Sequence, residues 1–288
     1  MSGAIGLALI AGTPLLLAVM GELVLQRGGV INIALEGMIL GGAFGAAVGA
    51  AATGSAWGGV AGGVAGAAGP AIVFGLLVLW RGADQIVSGI ALNLVVLGAT
   101  GMLYREMNEA NRLVASIPRF PSRGFGGIAV DPLLLCAWTI VPAVAFAILW
   151  RTRAGLRLRA AGENPASIAL GGLRVGAYRG GALAFETILA GLAGAYLVLG
   201  LGSGFAENMA GGRGFIALAI VIFARWRVGG AVAAVALFAA AVALQYSAQA
   251  AGTGVPFHLL LGVPYVLTLL ALIFVPGSVR APAALGKS

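Results

Sequence analysis

RTRAGLRLRAAGENPASIALGGLRVGAYR, running from Arg151 to Arg179, decides how the whole chain is read. Six of its seventeen basic residues lie here (Arg151, Arg153, Arg157, Arg159, Arg174 and Arg179), between two long apolar segments. Short arginine-rich loops stay in the cytoplasm when the spans around them enter a bilayer. The loop therefore faces the cytoplasm and fixes the orientation of everything else. It also carries a small helix of its own. Asn164 is a good N-cap, Pro165 takes the first helical position where its missing N–H does no harm, and Gly171-Gly172 supplies a stop. The expected helix is Pro165 to Leu170, about two turns. Its apolar face of Ile168, Ala169 and Leu170 suits docking on another protein, and the competing reading is a helix lying on lipid headgroups.

Composition sets the class. Sixty per cent of the 288 residues are hydrophobic and 9% are charged, against about a quarter charged in soluble domains. Mean hydropathy is +1.04, which makes lipid the main solvent. The net charge of +8 comes from arginines at the ends of apolar spans rather than along one polar face, so they set topology and do not bind nucleic acid. The single cysteine, Cys136, lies inside an apolar run and excludes a disulfide framework. The single histidine, His258, cannot build a metal site and is expected at a loop or helix end. Met1 to Ile10 lacks the basic region and cleavage site of a secretory signal, so the first span is expected to be retained.

Counting about twenty apolar residues per span gives nine candidates: Ala4 to Leu25, Val30 to Ala51, Trp57 to Trp80, Ile86 to Tyr104, Pro132 to Trp150, Gly181 to Leu201, Gly214 to Ala224, Val228 to Ala250 and Val263 to Val275. The seventh is only about half a span, as expected of a broken or re-entrant helix buried in protein. With the arginine loop inside, the N-terminus is outside and the C-terminus inside, and twelve basic residues face the cytoplasm against five outside. The expected fold is all-α: one transmembrane domain over residues 1–288, a bundle of about eight to ten helices, with a cytoplasmic loop at 151–179. GGVAGGVAGAAG, Gly58 to Gly69, places small residues on one helix face, where backbones can approach closely. The outer stretch Arg105 to Asp131 reads as a folded-over external loop or a lid.

Polar residues inside apolar spans should face the bundle interior. They are Glu22, Asn32, Glu36, Asn93, Glu186, Glu207, Asn208, Gln245 and Gln249. No serine elbow, HExxH motif or paired carboxylates in a soluble cleft are present, so no catalytic set is expected. Gly286-Lys287-Ser288 imitates the end of a phosphate-binding loop, but Ala281 stands where its first glycine is required. No cofactor is expected, and ATP-driven work must come from a partner. An internal echo pairs GGVINIAL (Gly28 to Leu35) with GGRGFIAL (Gly211 to Leu218), the first running outward and the second inward, as in an inverted repeat.

Four ordered blocks carry a family resemblance: GELVLQRGGVINIALEGMILGGAFGA (Gly21 to Ala46), ADQIVSGIALNLV (Ala83 to Val95), TRAGLRLRAAGENPASIALGGLRV (Thr152 to Val175) and NMAGGRGFIALAIVIFARW (Asn208 to Trp226). They resemble the permease subunits of bacterial ABC importers of the ribose and nucleoside type, most closely the shorter permease of nucleoside systems. The resemblance implies a multi-pass protein of the bacterial inner (cytoplasmic) membrane. It implies an ABC ATPase partner, a second and different permease subunit, and an extracytoplasmic substrate-binding protein. It assigns ATPase coupling to Gly155, Glu163, Asn164, Pro165, Ile168, Leu170 and Gly171. It places Asn32, Glu36, Asn93, Phe205, Glu207 and Asn208 along the substrate pathway. The expected cargo is a purine nucleoside or related nucleobase compound, with a simple sugar such as ribose second. A self-sufficient secondary transporter would instead need a mid-membrane coupling carboxylate, for which Glu36 and Glu186 are available, and a membrane-embedded enzyme would need a catalytic set that is not visible.

Overall fold

The computed structural model describes residues 2–109, 117–125, 128–202, 204–250, 262 and 281–287. In chain order these residues form α1 (Ser2–Arg27), α2 (Leu35–Thr53), α3 (Ala56–Phe74), α4 (Gln85–Glu109), β1 (Arg123–Phe125), β2 (Ile128–Val130), α5 (Pro132–Leu135), α6 (Val141–Arg151), α7 (Arg153–Glu163), α8 (Pro165–Leu170), α9 (Val175–Tyr196), α10 (Arg213–Phe223) and α11 (Val228–Ala250). Wide π-helical turns at Gly75–Trp80 and Leu197–Leu201 extend α3 and α9, and another at Cys136–Ile140 joins α5 to α6. Seven of the resulting helical stretches are long and apolar enough to cross a membrane, and α10 is the short one expected from sequence. The expected span Val263 to Val275 and His258 lie outside the described residues.

Three boundaries depart clearly from the sequence reading, one of them the outer end of α4, which runs to Glu109 instead of Tyr104. Val30 to Ala34 is not helical and α2 starts only at Leu35: Gly29, with a left-handed φ of 87°, turns the chain back alongside α1, and Asn93 takes the Gly37 amide and the Ile33 carbonyl that would pair within a longer helix. The sixth span begins at Val175 rather than Gly181 and so includes Arg179. That arginine is held inside the helix by its Nε, which donates to the Gly28 carbonyl at 3.0 Å. The long outer loop contains a small antiparallel hairpin, with Arg123 opposite Val130 and Phe125 opposite Ile128. The rest of the described chain is helical or irregular.

Helix directions follow from which ends meet. Taking the arginine-rich face as cytoplasmic, α1 runs inward, and α9 packs antiparallel to it, with Gly21 against Glu186. α2 runs outward and α3 inward as a tight hairpin in which Gly41, Gly45 and Gly49 face Gly66, Gly62 and Gly58. A Cβ on Gly45 would collide with the Gly62 carbonyl oxygen, and one on Gly62 with that of Gly45. The glycine-rich stretch thus brings two backbones into direct contact, which is how helices gain attraction in lipid without hydrophobic exclusion. α1 is the hub, with Leu15, Leu16, Leu17, Met20, Leu23 and Leu25 fully buried among α9, α10 and α11. By contrast α4 presents Ile86, Val87, Leu94, Val95 and Met102 outward and touches mainly α2.

Gly45→Leu should destabilise the purified protein by about 1–3 kcal/mol through overpacking, read as a lowered unfolding temperature in detergent. Gly69→Ala, on the partner helix α3 but with open space where its Cβ would go, should leave that temperature unchanged.

Candidate functional site

At the inner end of α1 the chain turns on Gly28 and Gly29 and re-enters the bundle unwound. By Asn32 it lies level with Glu22. The Asn32 amide donates to Glu22 Oε1 at 3.3 Å, and its Nδ2 donates to Glu186 Oε2 at 2.9 Å and to Met38 Sδ at 3.0 Å. Gln26 Nε2 donates to the same Glu22 oxygen at 2.7 Å, and Trp226 Nε1 donates to Gln26 Oε1 at 2.7 Å. One buried network therefore ties α1, the segment leading into α2, α9 and the α10–α11 turn. The Glu22 and Glu186 carboxyls also lie within hydrogen-bonding reach of each other, a contact that is a hydrogen bond only when one of them carries a proton. Glu22 Oε2, Glu186 Oε1 and Asn32 Oδ1 are buried without a hydrogen-bond donor among the described residues.

Asn93 of α4 closes the re-entrant turn like a buckle. Its Oδ1 accepts from the Gly37 amide at 2.8 Å, and its Nδ2 donates to the Ile33 carbonyl at 2.8 Å. In the first turn of α2, Glu36 reaches across to the start of α10 and accepts from the Gly212 and Gly214 amides, both at 2.7 Å. A helix N-terminus offers unpaired N–H groups and a partial positive charge, so a carboxylate satisfies it on both counts. Gly212 can supply the turn because it adopts φ 82°. The starts of α2 and α10 thus meet inside the bundle, and from there α2 runs outward and α10 inward. This is the geometric counterpart of the GGVINIAL and GGRGFIAL echo.

Further out, Phe205 is buried between Phe44 of α2 and Tyr104 of α4, with ring centres 5.4 and 5.1 Å away and edge-to-face tilts of 79° and 62°. Beside it Glu207 and Arg105 form a two-pronged ion pair at 2.9 and 3.1 Å. The Arg105 hydrogen bond holds the Glu207 carboxyl below its ordinary value. Asn208 is exposed and strained into φ 57°, and its carbonyl accepts from the Gly211 amide at 3.0 Å. Of the six pathway residues inferred from sequence, Asn32, Glu36 and Asn93 share the inner junction, Phe205 and Glu207 form an outer closure, and Asn208 shapes the loop between. The apolar groove between α3 and α9, lined by Ile72, Leu76, Trp80, Leu183 and Ile188, contains none of them. Among the described residues no three His, Cys, Asp or Glu side chains are grouped to hold a metal.

The cytoplasmic element is more elaborate than the sequence suggested. Arg153 to Glu163 forms a full helix, α7, capped by the Thr152 hydroxyl, which accepts from the Gly155 amide at 2.9 Å. Gly155 lies against the Ile148 carbonyl and Gly162 against the Arg27 carbonyl, where a Cβ would collide in both cases. Arg159 and Arg27 stack on the Trp150 ring at 4.0 and 5.7 Å. α8 runs from Pro165 to Leu170, and Asn164 Oδ1 accepts from the Ala166 and Ser167 amides at 3.1 and 3.4 Å. Its apolar face splits: Ile168 is 8% exposed, turned onto its own protein, whereas Leu170 is 90% exposed. Glu163, Asn164 and Gly171 are also exposed beside Leu170, Pro165 is half-buried, and Gly155 is buried at the joint. Sequence reasoning missed Gln26, Trp226 and Trp150. It also missed two consecutive left-handed residues, Arg225 at φ 54° and Trp226 at φ 53°. Arg27 braces that turn, donating from Nε and Nη2 to the Trp226 carbonyl at 2.9 and 2.7 Å.

A multi-pass bundle whose half-helices start back to back beneath an outer closure, with a helical element exposed on its cytoplasmic face, defines a membrane transport subunit. The chain belongs to the family described as the permease component of branched-chain amino acid transport systems, which matches residues 4–275, and it resides in the cytoplasmic membrane. It is 30% identical to a guanosine ABC transporter permease of Bacillus subtilis over 297 aligned positions, covering 96% of this chain and 93% of the relative. It is 30% identical to a nucleoside ABC transporter permease of Lactococcus lactis with the same coverage of each chain. A putative glucose ABC transporter permease of Haloferax volcanii is 34% identical, over 83% of this chain and 75% of that one. No solved structure matches the chain.

Glu36→Ala should leave the Gly212 and Gly214 amides unpaired and cost about 1–3 kcal/mol. Faster hydrogen exchange over residues 209–216 checks this, and Glu36→Gln, which keeps one acceptor, should lie between. The ion pair predicts a pH effect. Because the pKa of Glu207 is lower in the folded protein, the clasp contributes above the unfolded value and is lost as pH falls through the folded one, below 4.5. Any gap in melting temperature between wild type and Arg105→Ala should close over that acid range.

Proposed function

We propose that this chain is one permease subunit of an ATP-binding-cassette importer for nucleosides, working with an ATPase subunit that hydrolyses ATP, an extracytoplasmic binding protein and a second, sister permease. The observation that carries the nucleoside reading is the end-to-end similarity to two permeases named for guanosine and nucleoside transport. The closure of Phe44, Tyr104 and Phe205 supports it, because base faces stack on aromatic rings. A base delivered from outside would replace the edge-to-face contacts of Phe205 and descend toward Asn32 and Glu36. The glucose-type relative supports the second reading, a sugar importer.

α8 supplies the ATPase contact. An apolar side chain left 90% exposed at the tip of a capped helix is the kind of knob that a hydrophobic groove on a partner would cover. α7 passes motion on, because Gly155 and Gly162 leave no soft side chain between it and the inner ends of α6 and α1. The importer alternates between two bundle states, and the partners act by binding them unequally.

The test is reconstitution of this chain with its ATPase, sister permease and binding protein in liposomes. ATP-dependent guanosine uptake is the expected result, and uptake of glucose without nucleosides would replace the cargo assignment. Uptake by this chain alone without ATP would sink the importer reading in favour of a secondary transporter. Phe205→Ala should lower nucleoside uptake by about tenfold, the scale of one lost stacking contact. Leu170→Asp should uncouple ATP hydrolysis from uptake while leaving the melting temperature unchanged, whereas Ile168→Asp should lower that temperature because Ile168 packs inward.

A further inference from the structure

The segment Pro282–Lys287, which the sequence offers only as a failed phosphate loop, is docked at the busiest joint of the cytoplasmic face. Pro282 and Ala284 are buried, and Leu285 packs on the core. The Ala284 amide donates to the Gly162 carbonyl at 2.8 Å, in the last turn of α7 and two residues before the cap of α8. The Ala284 carbonyl oxygen lies 3.3 Å from where a Cβ on Gly29 would be, and Gly286 meets the side chain of Ile31. Gln85, the first residue of α4, completes the joint. Its Oε1 accepts from the Ile31 amide at 2.8 Å, and its Nε2 reaches the Lys287 carbonyl at 3.5 Å.

Three moving parts therefore meet on six residues of chain: α7 with α8, the unwound segment that delivers Asn32, and the inner end of α4. Gly162 lies directly against Arg27 and Gly29, which ties α7 to α1 and to the turn that opens the unwound segment, but not to α4. Among the described residues α4 packs mainly on α2 and α3 rather than on α7 or α8, yet it carries Asn93 at the buckle and Tyr104 and Arg105 at the outer closure. We propose that Pro282–Lys287 is a positioning strap that carries displacement of α8 to α4 and to the 28–34 segment, so that a push from the ATPase at the inner face opens the closure at the outer face. This rests on the importer reading above.

The experiment uses the full chain in the reconstituted complex and compares Ala284→Pro, which removes the amide donated to Gly162, with Ala284→Gly, which keeps it. Uptake and ATP hydrolysis are measured in parallel. Ala284→Pro should lower nucleoside transported per ATP hydrolysed by about tenfold, the scale of one lost coupling free energy, with hydrolysis retained, while Ala284→Gly behaves as wild type. Wild-type transport per ATP in Ala284→Pro would overturn the strap. If Ala284→Pro fails to assemble, a second variant decides: Ile31→Cys with Gly286→Cys in a Cys136→Ala background, joined by a short reducible cross-linker. Linking should slow uptake and reduction restore it, and uptake indifferent to the link would overturn the proposal. A wild-type complex that neither hydrolyses ATP nor transports would instead sink the importer reading, which keeps the two failures distinct.

Discussion

The two hydrogen bonds that Glu36 accepts from the Gly212 and Gly214 amides hold together a structure that would otherwise be forbidden. In hydrocarbon a helix cannot begin partway through the bilayer, because its first N–H groups have no water to pair with. A carboxylate on the first turn of α2 satisfies α10 at that depth, and its burial is tolerable because the donors and the helix charge compensate it. Glu36 can stand there only because the chain returns unwound from Gly28 to Ala34, so the return path, its Asn93 buckle and its Asn32 bridge exist in service of that placement.

Rigidity is unevenly distributed around this junction. α2, α3 and α9 meet through glycine backbones, with Gly42 against Gly191 and Gly63 against both Gly191 and Gly42, and such contacts cannot slide without collision. α4 makes one close backbone approach, Gly89 against Ile33 and Ala34, and is otherwise held by hydrogen bonds and ring contacts: Gln85 at its inner end, Asn93 in its middle, and Tyr104 with Arg105 at its outer end. Contacts of that type can be exchanged for contacts to cargo or partner at modest cost, whereas a backbone-to-backbone seam cannot. Consecutive left-handed residues at Arg225 and Trp226 store strain of about 1–3 kcal/mol each, and Arg27 holds that strain at the point where α7 meets α1.

Most of the span map was legible because about twenty apolar residues between arginines can do little else in lipid. α8 was legible to the residue, since Asn164, Pro165 and Gly171 are local signals that read out without tertiary help. The start of α2 was not. Val30 to Ala34 is apolar enough to belong to a helix, and what unwinds it is Asn93, more than fifty residues away, competing for the Gly37 amide and the Ile33 carbonyl. α7 was hidden for the opposite reason: its arginines read as a topology signal, and only Trp150 and the inner end of α1 make its Gly155, Leu158 and Gly162 face a buried one. Among site residues, Glu36 and Asn32 stood out as polar groups in apolar surroundings, whereas Trp226 and Gln26 had no local mark to separate them from helix-end residues.

The echo between GGVINIAL and GGRGFIAL acquires its meaning from what surrounds it. α1 runs inward, the chain doubles back, and α2 departs outward from the interior. α9 runs outward, the chain doubles back through 202–212, and α10 departs inward from the same level. α3 packs on α9 as α11 packs on α1, so the two halves are alike under reversal of the membrane normal, as inverted-repeat transporters are built. The symmetry is broken where function requires it. The inner return is gripped by α7 and Pro282–Lys287, while the outer return is held at its inner end by Glu36 and further out by Phe205 among rings and Glu207 on Arg105. A force applied at the tightly held end therefore yields at the lightly held one, which suits an importer that takes cargo from outside and is driven from within.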